Sequence, residues 1–448
     1  MNAGTSGGTA DNVRGSDASG GAVSRRAMLR AGGVGVGMAL VGGLVSTDFV
    51  GGAASAGAAT VSTAAVPIPF FGRNQAGILT PSQQHLSLAV LDLGRIAPND
   101  LVALLKAWTS AANRMSKGQP VGDLATGPAV VPADSGETVD QGAAKLTITF
   151  GFGPSVFDRR FGLASARPGP LADLPAFDKD QFDPSRTGGD VMIQACADSP
   201  QVADHAIRNL ARIGAGKSTI RWTQRGFLDV QGAPGASGGT PRNVIGFRDG
   251  TANLDTADRS LMERNVWASA SESPAWMAGG TYAVIRRIRN LVEAWDNASL
   301  DEQEQSIGRR KYSGAAFGSS QEFGPVNSAL LPIDSHVRLA NPRTGRASDD
   351  ERILRRGYNY ADGLAQATGP VRDGDGQLVT GQIDSGLMFV AFQRDPRKQF
   401  VPMQTRLNAS DKLNEYLIHN GSGVFAVVPG AVDERDWIGR TLMERSGR

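Results

Sequence analysis

Residues 191–227, VMIQACADSPQVADHAIRNLARIGAGKSTIRWTQRGF, read as a strand, a helix and a second strand. The apolar run Val191–Ala197 is the first strand. Ser199 offers a side-chain oxygen to the unpaired N–H groups of a helix start, and Pro200 suits the first turn, where its missing N–H costs nothing. A strand near Ser218–Phe227 follows. Upstream, His85–Leu93 alternates apolar and polar residues as a strand does, and Pro98-Asn99-Asp100 opens a run with Leu101, Leu104, Leu105 and Trp108 on one helical face. A Gly/Pro/Asp-rich loop near 117–143 leads to a strand at Leu146–Phe150. The resulting order, β-α-β-β-α-β, is the ferredoxin-like arrangement: an antiparallel sheet with helices on one face.

The flexible composition of Gly232–Arg242 (GAPGASGGTPR) marks a boundary between halves at 57–231 and 232–448. Beyond it the order repeats. We expect a strand at Thr281–Ile288, a helix near Asn290–Trp295, a buried strand at Leu387–Phe392, a helix near Lys412–His419 and a closing strand at Val424–Val428. The fold class is therefore α+β. About residues 1–56 differ in kind: a polar Gly/Ser-rich start, the pair Arg25-Arg26, a Gly-diluted apolar run from Ala31 to Val45, and small residues at Ala54-Ser55-Ala56. That is the layout of a twin-arginine export signal cleaved after Ala56, and the apolar run is shorter than the roughly 20 residues a membrane span needs. Localisation outside the cytoplasm, by the twin-arginine export machinery, is the expectation.

The 448 residues carry 46 Lys+Arg against 44 Asp+Glu, a net charge of +2, which gives no basis for nucleic-acid binding. One cysteine, Cys196, excludes an intramolecular disulfide and a thiolate-rich metal site, and four histidines leave little for a multi-histidine centre. Any iron is held by very few protein ligands. Three stretches could carry chemistry. In Asn243–Asn253 (NVIGFRDGTAN), glycines bracket Arg248-Asp249, which alone reads as a turn but also lets backbone approach a flat ligand. Asp334–Arg343 (DSHVRLANPR) holds His336, and Arg352–Tyr358 (RILRRGY) reads by itself as a solvated basic turn.

Together, GFRDGTAN, DSHVRLANPR and RILRRGYNY resemble, in order and spacing, the dye-decolourising (DyP-type) haem peroxidases. WMAGGTY at 276–282, RRIR at 286–289, GLMFVAFQRD at 386–395 and LNEYLIHNGSGVFAVVPG at 413–430 extend the likeness across the chain after the signal, nearest the exported bacterial branch that includes EfeB-type proteins. Gly314-Ala315-Ala316-Phe317 departs from that branch, which more often has Gly-Ala-Pro-Leu, and the departure bears on substrate access.

The resemblance implies two ferredoxin-like domains of the dimeric α+β-barrel type, with one haem b in the C-terminal half. It implies His336 as axial iron ligand, Asp384 as the acceptor behind it, Asp249 as acid–base catalyst and Arg355, ahead of Arg356, as cationic stabiliser. Arg338 and Asn253 are implied as propionate or distal-pocket contacts. The activity implied is hydrogen-peroxide-dependent oxidation of dyes, phenols or other aromatic reductants through a ferryl intermediate, and a homo-oligomer is compatible with it. Two alternatives are a haem-handling protein of iron uptake, with iron release as output, and a non-catalytic haem-binding module, which would lack a distal acid and arginine.

Overall fold

A computed structural model of the chain describes residues 66–229, 239–269, 271–365 and 383–445. The export signal and residues 232–238 of the expected boundary lie outside the described residues. The N-terminal half runs β1 (His85–Leu93), α1 (Pro98–Ser116), β2 (Thr147–Phe152), β3 (Val191–Ala197), α2 (Pro200–Ile213), β4 (Ser218–Phe227). This is the ferredoxin-like order expected. Ser199 caps α2 by accepting from the Val202 N–H, and Leu101, Leu104, Leu105 and Trp108 of α1 are buried.

The C-terminal half supplies β5 (Thr281–Asn290), β6 (Leu354–Arg355), β7 (Tyr358–Leu364), β8 (Ile383–Gln393) and β9 (Leu417–Val427). RILRRGYNY is thus not a basic turn but the short β6 and the start of β7, and the expected helix at Lys412–His419 is displaced. The helix is Phe400–Ser410, followed by a 3-10 turn at Lys412–Tyr416, and β9 has begun at Leu417. Asp411 sets this break: its side chain accepts from the Leu413 N–H and caps the new turn. Pro402 is tolerated in the first turn of the helix, where its N–H would have no partner.

Among the described residues nine strands form one sheet in the order β5-β9-β2-β3-β1-β4-β7-β8-β6, and an additional β5–β8 pairing closes eight of them into a ring. The halves join through single pairs, Phe152↔Ala426 and Phe227↔Asn359. Because strand side chains alternate, each strand serves two cores. Ala89, Leu91 and Leu93 of β1 pack with α1 and α2, whereas Leu86, Leu88 and Val90 point into the ring with Ile285, Met388, Val390, Phe392 and Phe425. Trp108 ties the two helices together by donating to the Leu210 carbonyl at 2.8 Å. Among the described residues no helix is long and apolar enough to cross a membrane.

Ring closure depends on close backbone approach at Gly386, which faces Arg289 across the β5–β8 ladder. A Cβ there would lie 1.9 Å from the Ile288 carbonyl oxygen, so the strands must separate to accept one. Gly386→Ala is expected to cost about 1–3 kcal/mol, the usual range for overpacking, and thermal denaturation followed by circular dichroism should show a melting temperature lower by several degrees.

Candidate active site

In the N-terminal half, α1 and α2 lie directly on the sheet; in the C-terminal half the helices stand off and leave a cavity. Its floor is Ile288 of β5, Leu387 and Phe389 of β8 and Leu417 of β9, and its other walls include Phe400, Met403 and Leu407 of the Phe400–Ser410 helix. The empty space is about 1600 Å³ including the mouth. Ile245, Phe247 and Ile353 add further apolar surface. Behind them Trp295 is buried edge-on against Phe247 and Tyr416, at centroid distances of 5.8 and 5.0 Å.

Asp249, Arg355 and His336 all line this cavity. Arg355 Nη1 donates to Asp249 Oδ1 at 2.6 Å. The turn carrying Asp249 is fixed from behind: Glu322 accepts from Thr240 Oγ1 at 2.6 Å and Thr251 Oγ1 at 2.8 Å, and its other oxygen lies 3.6 Å from Arg248 Nε. Gly250, at φ +110°, lets the chain turn immediately after the acid. Arg355 is held by register, since β6 pairs Leu354↔Phe392 and Arg355↔Ala391. Asn253 fastens the same residue at two points, donating to the Arg355 carbonyl at 2.8 Å and accepting from its N–H at 2.9 Å. It is therefore a positioning residue. Arg356, next along the strand, points the other way and spends its guanidinium on the Thr80 carbonyl and Gln83 Oε1. The geometry selects Arg355 over Arg356 as the arginine facing Asp249.

In the same cavity His336 opens the short helix His336–Ala340, and its Nδ1 lies 2.7 Å from Asp411 Oδ2. The expected acceptor, Asp384, is elsewhere. It lies on β8 at an even position, on the ring-interior face shared by Met388 and Val390, while odd-numbered Leu387 and Phe389 face the cavity. There it binds Arg287 at 2.8 Å, in an ion cluster with Asp362. Asp411, which no motif singled out, takes the role behind His336 because the helix end at Ser410 delivers it there. Burial lowers the pKa of His336, but the adjacent Asp411 charge and hydrogen bond outweigh it and leave the imidazole above its ordinary value. Arg338 also departs from expectation: it donates to the Leu331 carbonyl at 2.8 Å and is absent from the cavity lining among the described residues.

Arginines that sequence reasoning passed over stand at the cavity instead. Arg309, Arg343 and Arg352 line it together, and burial with the charges of Arg309 and Arg352 depresses the pKa of Arg343. Such mutual repulsion marks a place for anionic groups. Arg343 is the last residue of DSHVRLANPR and takes φ +58°, so the signal was its position after Pro342. Deeper in, Arg286 is buried against Asp180 and lies 2.8 Å from His419 Nδ1, and burial first of all keeps His419 below its ordinary pKa. These residues fit haem b. Apolar walls suit the macrocycle, the three arginines suit its propionates, and His336, with Nδ1 occupied by Asp411, has Nε2 left for iron.

If Asp411 supplies most of the raising charge, Asp411→Asn leaves burial and Arg355 opposed only by the more weakly acting Asp249, and His336 should titrate below the ordinary value of about 6.5. In haem-free wild type it should titrate above that value. Imidazole NMR shifts across a pH series distinguish the two, and an unchanged His336 titration in the variant would remove Asp411 from this role.

Comparison with known proteins agrees with this geometry. Residues 75–228 match the family model for the N-terminal part of Dyp-type peroxidases, and residues 240–432 match the model for the C-terminal part. The chain is 37% identical over 383 residues to the deferrochelatase of Escherichia coli strain K12, covering 84% of this chain and 87% of that protein. The Shigella flexneri deferrochelatase is likewise 37% identical, over 384 residues, with the same coverage. Among solved structures, a DyP-type peroxidase from Streptomyces coelicolor superposes with a TM-score of 0.74 at 35% identity, over 84% of this chain and 97% of that one. One from Cellulomonas bogoriensis does so with a TM-score of 0.74 at 35% identity, over 85% and 99%. With both halves of the chain matched and a haem-fitting cavity lined by His336, Asp249 and Arg355, the chain belongs to the Dyp-type peroxidases and is a haem peroxidase.

Proposed function

We propose that Asp249 is the proton carrier, Arg355 the charge stabiliser and His336 the iron-binding residue of this peroxidase, with Asp411 setting the tautomer of His336. The observation that carries the assignment is the 2.6 Å contact of Arg355 with Asp249 in the cavity that His336 also lines. Bound haem supplies the iron that receives peroxide and the electrons that part its two oxygens. Asp249 then has the task of taking the proton from one peroxide oxygen and delivering it to the other, so that the second leaves as water. Arg355, fixed by strand register and by Asn253, meets the negative charge that develops on the departing oxygen without having to reorganise. Asp411 holds the Nδ1 proton of His336 and so increases the donor strength of Nε2. A non-catalytic haem-binding module would have no use for the Asp249–Arg355 pair.

The name deferrochelatase borne by the Escherichia coli and Shigella relatives favours a second reading, in which haem is itself the substrate and iron its released product. Incubation with haem in the absence of peroxide separates the two: accumulation of fluorescent metal-free porphyrin supports the second reading. We also assign export to the twin-arginine route from the Arg25-Arg26 pair before the apolar run. Replacing both by lysine should leave a cytoplasmic precursor, seen by fractionation and immunoblotting, and normal export of that variant would refute the assignment.

For the distal pair, stopped-flow measurement of peroxide-driven Soret change in haem-loaded protein provides the test. Arg355→Leu should slow the reaction on the order of 10²–10³-fold, and Asp249→Asn by about 10²–10⁴-fold, the range for a lost acid–base group. Arg356→Leu, outside this pair, should lower stability and leave the rate per loaded haem near wild type. A normal rate in Asp249→Asn would confine that residue to shaping the turn.

A further inference from the structure

A second group of metal-type donors sits in the N-terminal half, where the loop 117–143 crosses α2. The side chains of Asp134, Glu137 and His205 each offer one ligand atom, all within 4.8 Å of one another, and His205 Nε2 is 3.0 Å from Asp134 Oδ1. Asp134 and His205 are buried, and the Glu137 side chain is 23% exposed at the rim. First-row ions bind carboxylate oxygen and imidazole nitrogen at about 2.0–2.2 Å, so neighbouring ligand atoms around one ion lie about 3.0–3.5 Å apart. The Asp134–His205 edge already has that length, and the Glu137 oxygen lies within 4.8 Å of both other ligand atoms.

The loop does not need these three residues to be tied to the helix. Asn209 Nδ2 donates to Ser135 Oγ at 2.7 Å and its Oδ1 accepts from the Ser135 N–H at 3.1 Å. Arg212 Nη2 donates to the Pro132 carbonyl at 2.8 Å, and Gln201 donates to the Glu137 carbonyl. Charge supplies the second argument. The other buried acids among the described residues each face a cation: Asp190 with Arg160, Glu304 with Arg310, Glu322 with Arg248, Asp395 with Arg397. Only Asp134 and Asp411 are paired with a histidine instead, and the histidine of Asp411 is the one assigned to iron. Among the described residues Asp134 otherwise accepts only from the Val121 and Gly136 N–H groups, at 2.8 and 2.7 Å, and the guanidinium of Arg208, 63% exposed, lies 3.3 Å from Glu137 Oε1 rather than on Asp134. Glu137 Oε2 is buried without a hydrogen bond of ordinary length and so is open to a cation, while the carboxylate as a whole, against its burial, is kept ionised by the Ser135 side chain and the charges of His205 and Arg208.

We propose that Asp134, Glu137 and His205 bind a divalent first-row metal ion of the zinc type, independently of the haem cavity. Mixed carboxylate and imidazole donors suit such ions rather than calcium or magnesium, which prefer all-oxygen sites. The ion takes the place of the hydrogen bond between His205 Nε2 and Asp134 Oδ1, and the imidazole then carries its ring proton on Nδ1. The ion joins α2 to the middle of a loop that is otherwise held by hydrogen bonds.

Haem-loaded protein, stripped with a chelator and titrated with zinc chloride by calorimetry, tests this. One zinc per chain is expected, with metal content after dialysis confirming the stoichiometry. Glu137→Gln, at the rim and outside the Asp134–His205 bond, should fold normally and bind zinc at least tenfold more weakly, whereas the exposed-site control Glu434→Gln should match wild type. Absence of stoichiometric zinc binding by wild type, or binding by Glu137→Gln equal to wild type, overturns the proposal. His205→Gln should abolish binding; if it does not fold, Glu137→Gln decides alone.

Discussion

Side-chain alternation along β8 sends Met388, Val390 and Phe392 into the ring and Leu387 and Phe389 to the cavity, and a one-residue slip against β5 would exchange the two sets. The same ladder fixes β6, whose Arg355 sits opposite Ala391. A slip there would turn Arg356 toward the cavity and bury Arg355 in its place. The register of one two-faced strand therefore decides which arginine faces the cavity, which carboxylate stays away from His336, and where the apolar floor lies. Nine consecutive β5–β8 pairs, from Tyr282↔Gln393 to Asn290↔Ser385, make the register expensive to change.

Electrostatics follow the same division of faces. Arg287 points into the ring and is fully buried, yet it is matched by Asp384, Asp362 and Gln224 and packs on Tyr360 at 4.0 Å. A charge so deep survives only when its partners are already in place. On the outer face the balance is reversed. Arg309, Arg343 and Arg352 gather without enough acid to neutralise them, as befits a surface made to receive an anionic cofactor. The two environments lie on opposite sides of one sheet.

Much of this was legible in the residues. Pattern alone placed β1, α1, β3, α2 and β4, because each has a strong apolar period and clear capping residues such as Ser199 and Pro200. Asp249, Arg355 and His336 were found through motifs. Asp411 was missed because its role depends on where the Phe400–Ser410 helix ends, a tertiary matter that no local spacing records. Asp384 misled for the opposite reason: it stands in a suggestive run, but its face of β8 is invisible until the register is known. β7 escaped notice because basic residues precede it and only its first three residues, Tyr358 to Tyr360, are buried.

Asn253 gives the Asp249–Arg355 pair a mechanical property. It lies four residues beyond Asp249 and clamps both backbone polar groups of Arg355, so the loop that carries the acid and the strand that carries the cation form one hydrogen-bonded unit. Thermal breathing of that loop would carry acid and cation along together instead of pulling them apart. Their separation is thereby insulated from movements of the loop as a whole, and changes elsewhere in the loop can widen or narrow access to the cavity without detuning the pair.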